Sequence, residues 1–437
     1  MEQRLPAVAT ERLIQPARNI QGSLRLPGDK SISHRYALLG GLAEGTTRLT
    51  NFSTGADCAS SLACVEALGA QITRNQDGAI EITGTAGDFH PSASPLDCGN
   101  SGSTMRMLSG LLAAQAGVFI LTGDASLSLR PMERVRKPLT QMGARLELTD
   151  GHAPITIHGA PLTAIDYTTP IPSAQVKTAL LFAGLQAEGT TTVHESVRTR
   201  DHGELALRAF GATIERSKNS VSIADGQQLH AIEAAVPGDI SSAAFFLCAA
   251  ALFPGSNLIF DDLGLNPTRA TLLDVLTALG AHIGVLNLET KNDELVGTVQ
   301  VNAPPDGLTG TAISGALSAQ LIDELPVLAA IGPFTQNGIR IRDAKELRVK
   351  ESDRIALVAA NLRAMGAEVE EFDDGLDVPG GQTLHGATID SGGDHRIAMA
   401  FSIAALRAEG DTLIRGAESA AISFPEFFDL LDRVAER

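Results

Sequence analysis

Two kinds of apolar pattern alternate along the chain at a fixed period. In the first, a small Ser- or acid-containing start opens a segment that is apolar nearly all round, then a Gly-containing turn and a β-branched run. KSISHRYALLGGLAEGTTRLTNF from Lys30, GSTMRMLSGLLAAQAGVFILTG from Gly102 and SAQVKTALLFAGLQAEGTTTVHES from Ser173 follow it. So do SSAAFFLCAAALFPGSNLIFDDL from Ser241, DELPVLAAIGPFTQNGIRIRDA from Asp323 and DHRIAMAFSIAALRAEGDTLIRGA from Asp394. The starts lie about seventy residues apart, with a longer gap before Asp323. The second pattern reads as helix, Gly-Ala, strand, turn, strand. It appears as ACVEALGAQITRNQDGAIEITG, LTQMGARLELTDGHAPITIHG, ALRAFGATIERSKNSVSIADG, LLDVLTALGAHIGVLN and NLRAMGAEVEEFDDGLDVPGG. These helices are expected to end at Gly69, Gly143, Gly211, Gly280 and Gly366, where glycine accepts the left-handed turn at low cost.

The two patterns join into six copies of helix, strand, helix, strand, strand. The last copy stops at its second helix, SFPEFFDLLDRVAER, and the early stretch ERLIQPARNIQGSLRLPG is strand-like enough to complete a sheet opened at the other end of the chain. Units of this size are too large for a short-repeat solenoid and point to an α/β protein of two pseudo-symmetric domains with three units each. The expected division is 1–21 as a segment completing the C-terminal domain, 22–237 as the N-terminal domain and 238–437 as the C-terminal domain, changing over near Ile232 to Asp239. Segments such as ALLFAGL and AAFFLCAAAL have no polar face, so the first helix of each unit belongs inside, with the sheets outside.

That arrangement gives the charges a meaning. Side-by-side inner helices bring their N-termini together, and helix N-termini favour anions. At or just before these starts stand Lys30 and Arg35, Asn100 with Arg106, Ser173 with Gln175 and Lys177, Asp323, and His395 with Arg396. The chain carries a net charge of −17 over 437 residues, which disfavours nucleic-acid and anionic-membrane surfaces and makes such local cations informative. The face they form suits a small ligand with several negative charges. Cys58, Cys64, Cys98 and Cys248 form no CxxC pair, so a reducing compartment fits, a metal site is not signalled, and Cys98 and Cys248 read as buried hydrophobes. The first residues lack an apolar signal core, and the longest apolar run, Ala243 to Phe253, is too short for a bilayer. The expectation is a cytoplasmic monomer without membrane or nucleic-acid partners. No P-loop or dinucleotide fingerprint calls for a cofactor.

The stretches LPGDKSISHR, GNSGSTMR, LRPM, SAQVKTALL, TRDH, VPGDISSAAFFL, DELP, LRVKESDR, DHRIAMAF and SFPEFF, spread over nearly the whole chain, resemble the enolpyruvyl transferases. The resemblance implies an inside-out α/β barrel of two three-unit domains closing on their substrates. It implies transfer of the enolpyruvyl group of phosphoenolpyruvate to the 5-hydroxyl of shikimate 3-phosphate through a tetrahedral ketal, on the route to chorismate and the aromatic amino acids. By it, Lys30, Asn100, Gly102, Arg130, Gln175, Arg354 and Arg396 match phosphoenolpyruvate positions. Lys30, Ser31, Arg35, Ser173, Ala174, Gln175, Arg200, Asp323 and Lys350 match shikimate 3-phosphate positions. Asp323, Glu351 and Lys30 match the groups that move protons; either Glu351 or Lys30 serves the methylene carbon.

Plainer readings stand beside these. Asp323 could cap a helix, Glu351 with Arg354 could be an i,i+3 surface pair, His34 and His395 could be structural, and Arg136, Lys137 and Lys345 solvated. Some family members carry a lysine where AESAAISFPEFF has Ala420, Ala421, Ile422 and Ser423. Ala174 and Arg200 follow the less common branch, which includes glyphosate-tolerant members, so glyphosate is a candidate inhibitor of open strength. The related transferase acting on UDP-N-acetylglucosamine has a reactive cysteine in the loop matching GDASLSLRPMERV, where this chain has none. A non-catalytic repeat scaffold is the alternative from another class.

Overall fold

The computed structural model describes residues 10–437, which divide into two compact units. The N-terminal unit comprises Gly28–Val236 with Thr290–Glu294; the C-terminal unit comprises residues 10–27 with Pro237–Glu289 and Leu295–Arg437.

The N-terminal unit holds α1 (Lys30–Leu42), α2 (Ala56–Ala67), α3 (Gly102–Leu112), α4 (Glu133–Gln141), α5 (Ala174–Gly184) and α6 (His202–Ala209). Its three four-stranded sheets repeat one order. In one, Leu96–Asp97 runs parallel to Val118–Thr122, which pairs antiparallel with His152–His158 and that with Arg145–Thr149. In the next, Asp166–Thr169, Thr190–Glu195, Ser220–Ala224 and Ile214–Arg216 take the same places. The remaining sheet is Thr46–Thr50 with Ile80–Thr83 and Gln71–Arg74, and its parallel strand, Glu233–Ala235, comes from the far end of the unit.

The C-terminal unit holds α7 (Ile240–Leu252), α8 (Thr271–Ala278), α9 (Ala316–Gln320), α10 (Leu325–Ile331), α11 (Arg354–Ala364), α12 (His395–Ala405) and α13 (Phe427–Val434). One sheet, Thr311–Ile313, Ile339–Ile341, Gly375–Val378 and Glu370–Phe372, has the same order as before. The other two draw on the start of the chain. Asn19–Arg25 lies parallel to Asn257–Gly264, and Glu11–Ile14 pairs antiparallel with Thr412–Arg415, which also takes Thr388–Asp390 in parallel. Each of the first five copies thus runs strand, helix, strand, helix, strand, strand, one strand longer than the sequence pattern suggests. The added strand is as short as two residues, too short for an alternating pattern to show.

The inner helices are where their composition puts them. All thirteen residues of α7 are buried, as is α5 from Val176 to Gly184. Their buried side chains form one continuous apolar core in each unit. A helix sunk in a core cannot leave its first N–H groups to water, and five of the six inner helices are capped by a side chain: Asp29, Ser101, Ser173, Asp239 and Asp394. The second helices end at Gly69, Gly143, Gly211, Gly280 and Gly366, all at φ between +89° and +112°.

Close contact along their length sets the spacing of α3 and α5. A Cβ on Gly110 would stand 2.0 Å from the carbonyl oxygen of Ala179, a backbone atom that cannot swing away. Gly110→Ala should therefore cost about 1–3 kcal/mol by forcing the helices apart, read as a lower thermal midpoint. An unchanged midpoint would show that this contact is not a constraint.

Candidate active site

In the N-terminal unit the candidates gather at the heads of α1, α3 and α5. Lys30, first residue of α1, holds Asp57 Oδ2 of α2 at 3.0 Å. Behind it a hydrogen-bonded chain runs from His34 Nδ1 to Ser61 Oγ at 2.8 Å, on to Thr104 Oγ1 at 2.7 Å and to Ser101 Oγ at 2.7 Å, the cap of α3. Burial, then the charges of Lys30 and Arg35, hold His34 well below the usual histidine range, so it is a neutral structural link.

Arg106 Nη1 donates to Gln175 Oε1 at 2.6 Å, and Gln175 Nε2 donates to Ser103 Oγ at 2.8 Å, joining the heads of α3 and α5. Arg130 is almost buried and donates to Asn100 Oδ1 at 2.6 Å, while Asn100 Nδ2 donates to Asp124 at 2.8 Å. A Cβ on Gly102 would meet Arg106 Nη1 at 3.0 Å and Arg130 Nη1 at 3.4 Å. Asn100, Gly102, Arg106, Arg130 and Gln175 thus form one cluster.

Around it lie the other candidates. Arg35 donates to the carbonyl of Ser31 at 2.8 Å and to Thr178 Oγ1 at 3.0 Å. Burial pushes its guanidinium down to about 10, against the pull of Glu204, and Arg200 is among the like charges acting on it. Ser173 caps α5 by accepting from Val176 N, and Ala174 is the first residue of that helix.

In the C-terminal unit the candidates surround Asp323. Its carboxylate has Arg354 Nη1 at 3.6 Å, Lys350 Nζ at 3.8 Å, Arg396 Nε at 3.9 Å and Arg269 Nη1 at 4.0 Å, and its carbonyl accepts from Arg396 Nη1 at 2.7 Å. It does not occupy the cap position of α10, which is Glu324, a residue that makes no side-chain cap bond. The fifth inner helix thus starts two residues later than its pattern suggests, behind the short α9. Glu351 accepts from Arg354 Nη2 at 2.5 Å, but Arg354 is 1% exposed, so this i,i+3 pair is not a surface pair. Arg354 also donates to Asp394 at 2.8 and 3.2 Å. Burial alone would lower the Arg354 guanidinium; Asp394, then Glu351, outweigh it and hold it above its usual value. Burial holds Lys350 below the usual lysine value, against the pull of Asp323.

Several members of these clusters carry no assigned role in the sequence reading. Asp57, Glu324 and Asp394 lie on other segments than the cations they face, and Arg269 on another segment than Asp323 and Glu324, so only the fold pairs them; Arg106 stands at a helix mouth in the sequence without a stated partner. Cys98, Cys248 and His395 are buried, and Lys137 and Lys345 are exposed, whereas Arg136 is held bidentately by Glu133.

Asp394 has two tasks, capping α12 through Arg396 N and neutralising Arg354. Burial would raise its carboxyl, but Arg354 outweighs this and lowers it. A lowered carboxyl stabilises the fold above its unfolded value of about 4, and that contribution fades as pH falls through the folded value. Asp394→Asn should cost about 3–5 kcal/mol at neutral pH, with the gap from wild type narrowing below about pH 4 in denaturant titrations. A gap independent of pH would show that charge is not what Asp394 contributes.

Comparison with known proteins adds the relatives of this arrangement. The family model described as EPSP synthase (3-phosphoshikimate 1-carboxyvinyltransferase) matches residues 14–431. The chain is 65% identical to the 3-phosphoshikimate 1-carboxyvinyltransferase of Koribacter versatilis (strain Ellin345), over 97% of this chain and 99% of that one. It is 52% identical to the protein of that name from Solibacter usitatus (strain Ellin6076), over 98% and 100%. A solved EPSP synthase from Acinetobacter baumannii superposes with a TM-score of 0.85 at 39% identity, covering 97% of this chain and 98% of that one.

Proposed function

The chain belongs to the EPSP synthase family, and from that premise we infer how its residues share the reaction. The protein transfers the enolpyruvyl group of phosphoenolpyruvate to shikimate 3-phosphate in the shikimate pathway. The accepting group in our reading is the 5-hydroxyl. Asp323 takes its proton as the oxygen attacks C2 of phosphoenolpyruvate, and Glu351 or Lys30 delivers a proton to the methylene carbon, giving a tetrahedral ketal. Returning a proton to the bridging oxygen and removing one from the new methyl group expels phosphate and restores the double bond.

The observation that carries this division is the setting of Asp323, a carboxylate with four cations within 4.0 Å that stands outside the cap position of α10. Arg130, Arg354 and Arg396, with Lys30, Asn100, Gly102 and Gln175, are assigned to phosphoenolpyruvate. Planar guanidinium forks suit its carboxylate and phosphate. Ser31, Arg35, Ser173, Ala174, Gln175, Arg200 and Lys350, with Lys30 and Asp323, are assigned to shikimate 3-phosphate.

Phosphate released from phosphoenolpyruvate in the presence of shikimate 3-phosphate, and not of UDP-N-acetylglucosamine, is the expected assay result. In the same assay Asp323→Ala should lose about two to four orders of magnitude in turnover while still binding shikimate 3-phosphate. Near-normal turnover in that variant would remove Asp323 from the mechanism.

Glyphosate carries a carboxylate and a phosphonate and is a candidate competitor of phosphoenolpyruvate. An added methyl at residue 102 would crowd Arg106 and Arg130. Gly102→Ala should therefore weaken the longer inhibitor more than the substrate, seen as a larger rise in its inhibition constant than in the phosphoenolpyruvate KM. Equal rises would show that Gly102 does not discriminate.

A further inference from the structure

Lys177 lies one turn beyond Ser173, Ala174 and Gln175 on α5, yet its side chain is fully buried and points away from solvent into the N-terminal unit. Its ammonium sits 2.9 Å from Glu195 Oε2 and 2.8 Å from Glu204 Oε1, two carboxylates that are themselves almost wholly buried. Three charged groups in so apolar a place are costly to assemble, and removing one leaves the others uncompensated.

The free arm of this cluster leads to the candidate site. Glu195 ends the strand Thr190–Glu195, and its other oxygen, Oε1, accepts from Thr199 N at 3.1 Å and from Thr199 Oγ1. Thr199 immediately precedes Arg200. On the other side of Arg200, Asp201 accepts from Arg198 at 3.0 Å and from Arg216 at 2.8 Å. The loop is therefore pinned on both flanks of Arg200. One flank traces back through Glu195 to Lys177.

We propose that Lys177 is a positioning residue for shikimate 3-phosphate binding: through Glu195 and Thr199 it fixes the loop that presents Arg200, and so couples that loop to the head of α5. The inference rests on the assignment of Arg200 to shikimate 3-phosphate made above. With the backbone on both sides held, Arg200 loses less freedom on meeting an anion, which is how a group that never touches the ligand raises affinity.

Calorimetric titration of shikimate 3-phosphate into wild type, Thr199→Val, Arg200→Ala and the double variant tests it. Thr199→Val keeps the fold and the backbone N–H but loses the hydroxyl bond, and should weaken binding about fivefold to twentyfold. In the Arg200→Ala background the same change should cost less than about twofold, since there is no guanidinium left to place. The phosphoenolpyruvate KM at saturating shikimate 3-phosphate should stay within about twofold of wild type in Thr199→Val. Lys177→Met should reproduce the loss of affinity; where it does not fold, Thr199→Val carries the test. An unchanged affinity in Thr199→Val, or an equal loss with and without Arg200, overturns the positioning role alone. Unchanged affinity in Arg200→Ala instead overturns the underlying ligand assignment, and the proposal with it.

Discussion

A helix placed at the centre of a domain must find partners for the N–H groups of its first turn, and much of this architecture follows from that need. Five inner helices meet it with an aspartate or serine cap. The caps bring polar side chains to the heads of otherwise apolar helices, and the ligand-facing candidates stand on or beside them: Lys30 after Asp29, Gly102 after Ser101, Ala174 after Ser173, Arg396 two residues after Asp394. The exception is informative. Where α10 begins, the cap residue Glu324 makes no side-chain cap bond, and the two acidic residues at the helix head face arginines.

Charge pairing and hydrogen bonding then set where the cations stand. Lys30 is held by Asp57, Arg130 by Asn100 and Arg354 by Asp394 and Glu351. None of these long side chains has to search for its place when an anion arrives, and the entropy of ordering them is spent during folding. A chain with an excess of acidic residues suits this design, because carboxylates such as Asp57, Asp394 and Asp323 are at hand to hold cations, Asp323 facing four of them.

How far this was legible in the sequence follows from which interactions are local. The glycines that end the second helices announce themselves because a left-handed residue after a helix is a property of a few neighbours, and all five adopt it. The inner helices are legible because a segment without a polar face has few places to go. The short parallel strand that leads each copy was not, since Leu96–Asp97 or Glu233–Ala235 is defined by its partner rather than its own pattern. The same holds at the candidate site. Types and spacing single out Lys30, Asp323 and Arg396, and the resemblance adds Arg130, but the partnerships of Arg106 with Gln175 and of Asp323 with Arg269 join segments far apart in the chain. The head of the fifth inner helix lies two residues beyond Asp323, where Pro326 fixes the first helical turn and leaves Asp323 outside it.

Two sheets of the C-terminal unit borrow strands from the start of the chain. Glu11 stands opposite Arg415, and Asn19–Arg25 opposite Asn257–Gly264 and Ala435–Glu436. During synthesis at about 5–20 residues per second, the first of these strands leaves the ribosome tens of seconds before its partner exists. The N-terminal unit draws almost entirely on Gly28–Val236 and has its own closing strand by Ala235. Translation therefore imposes an order: a nearly complete domain assembles first, while the leading strands trail unpaired until Thr412–Arg415 and Ala435–Glu436 have been made.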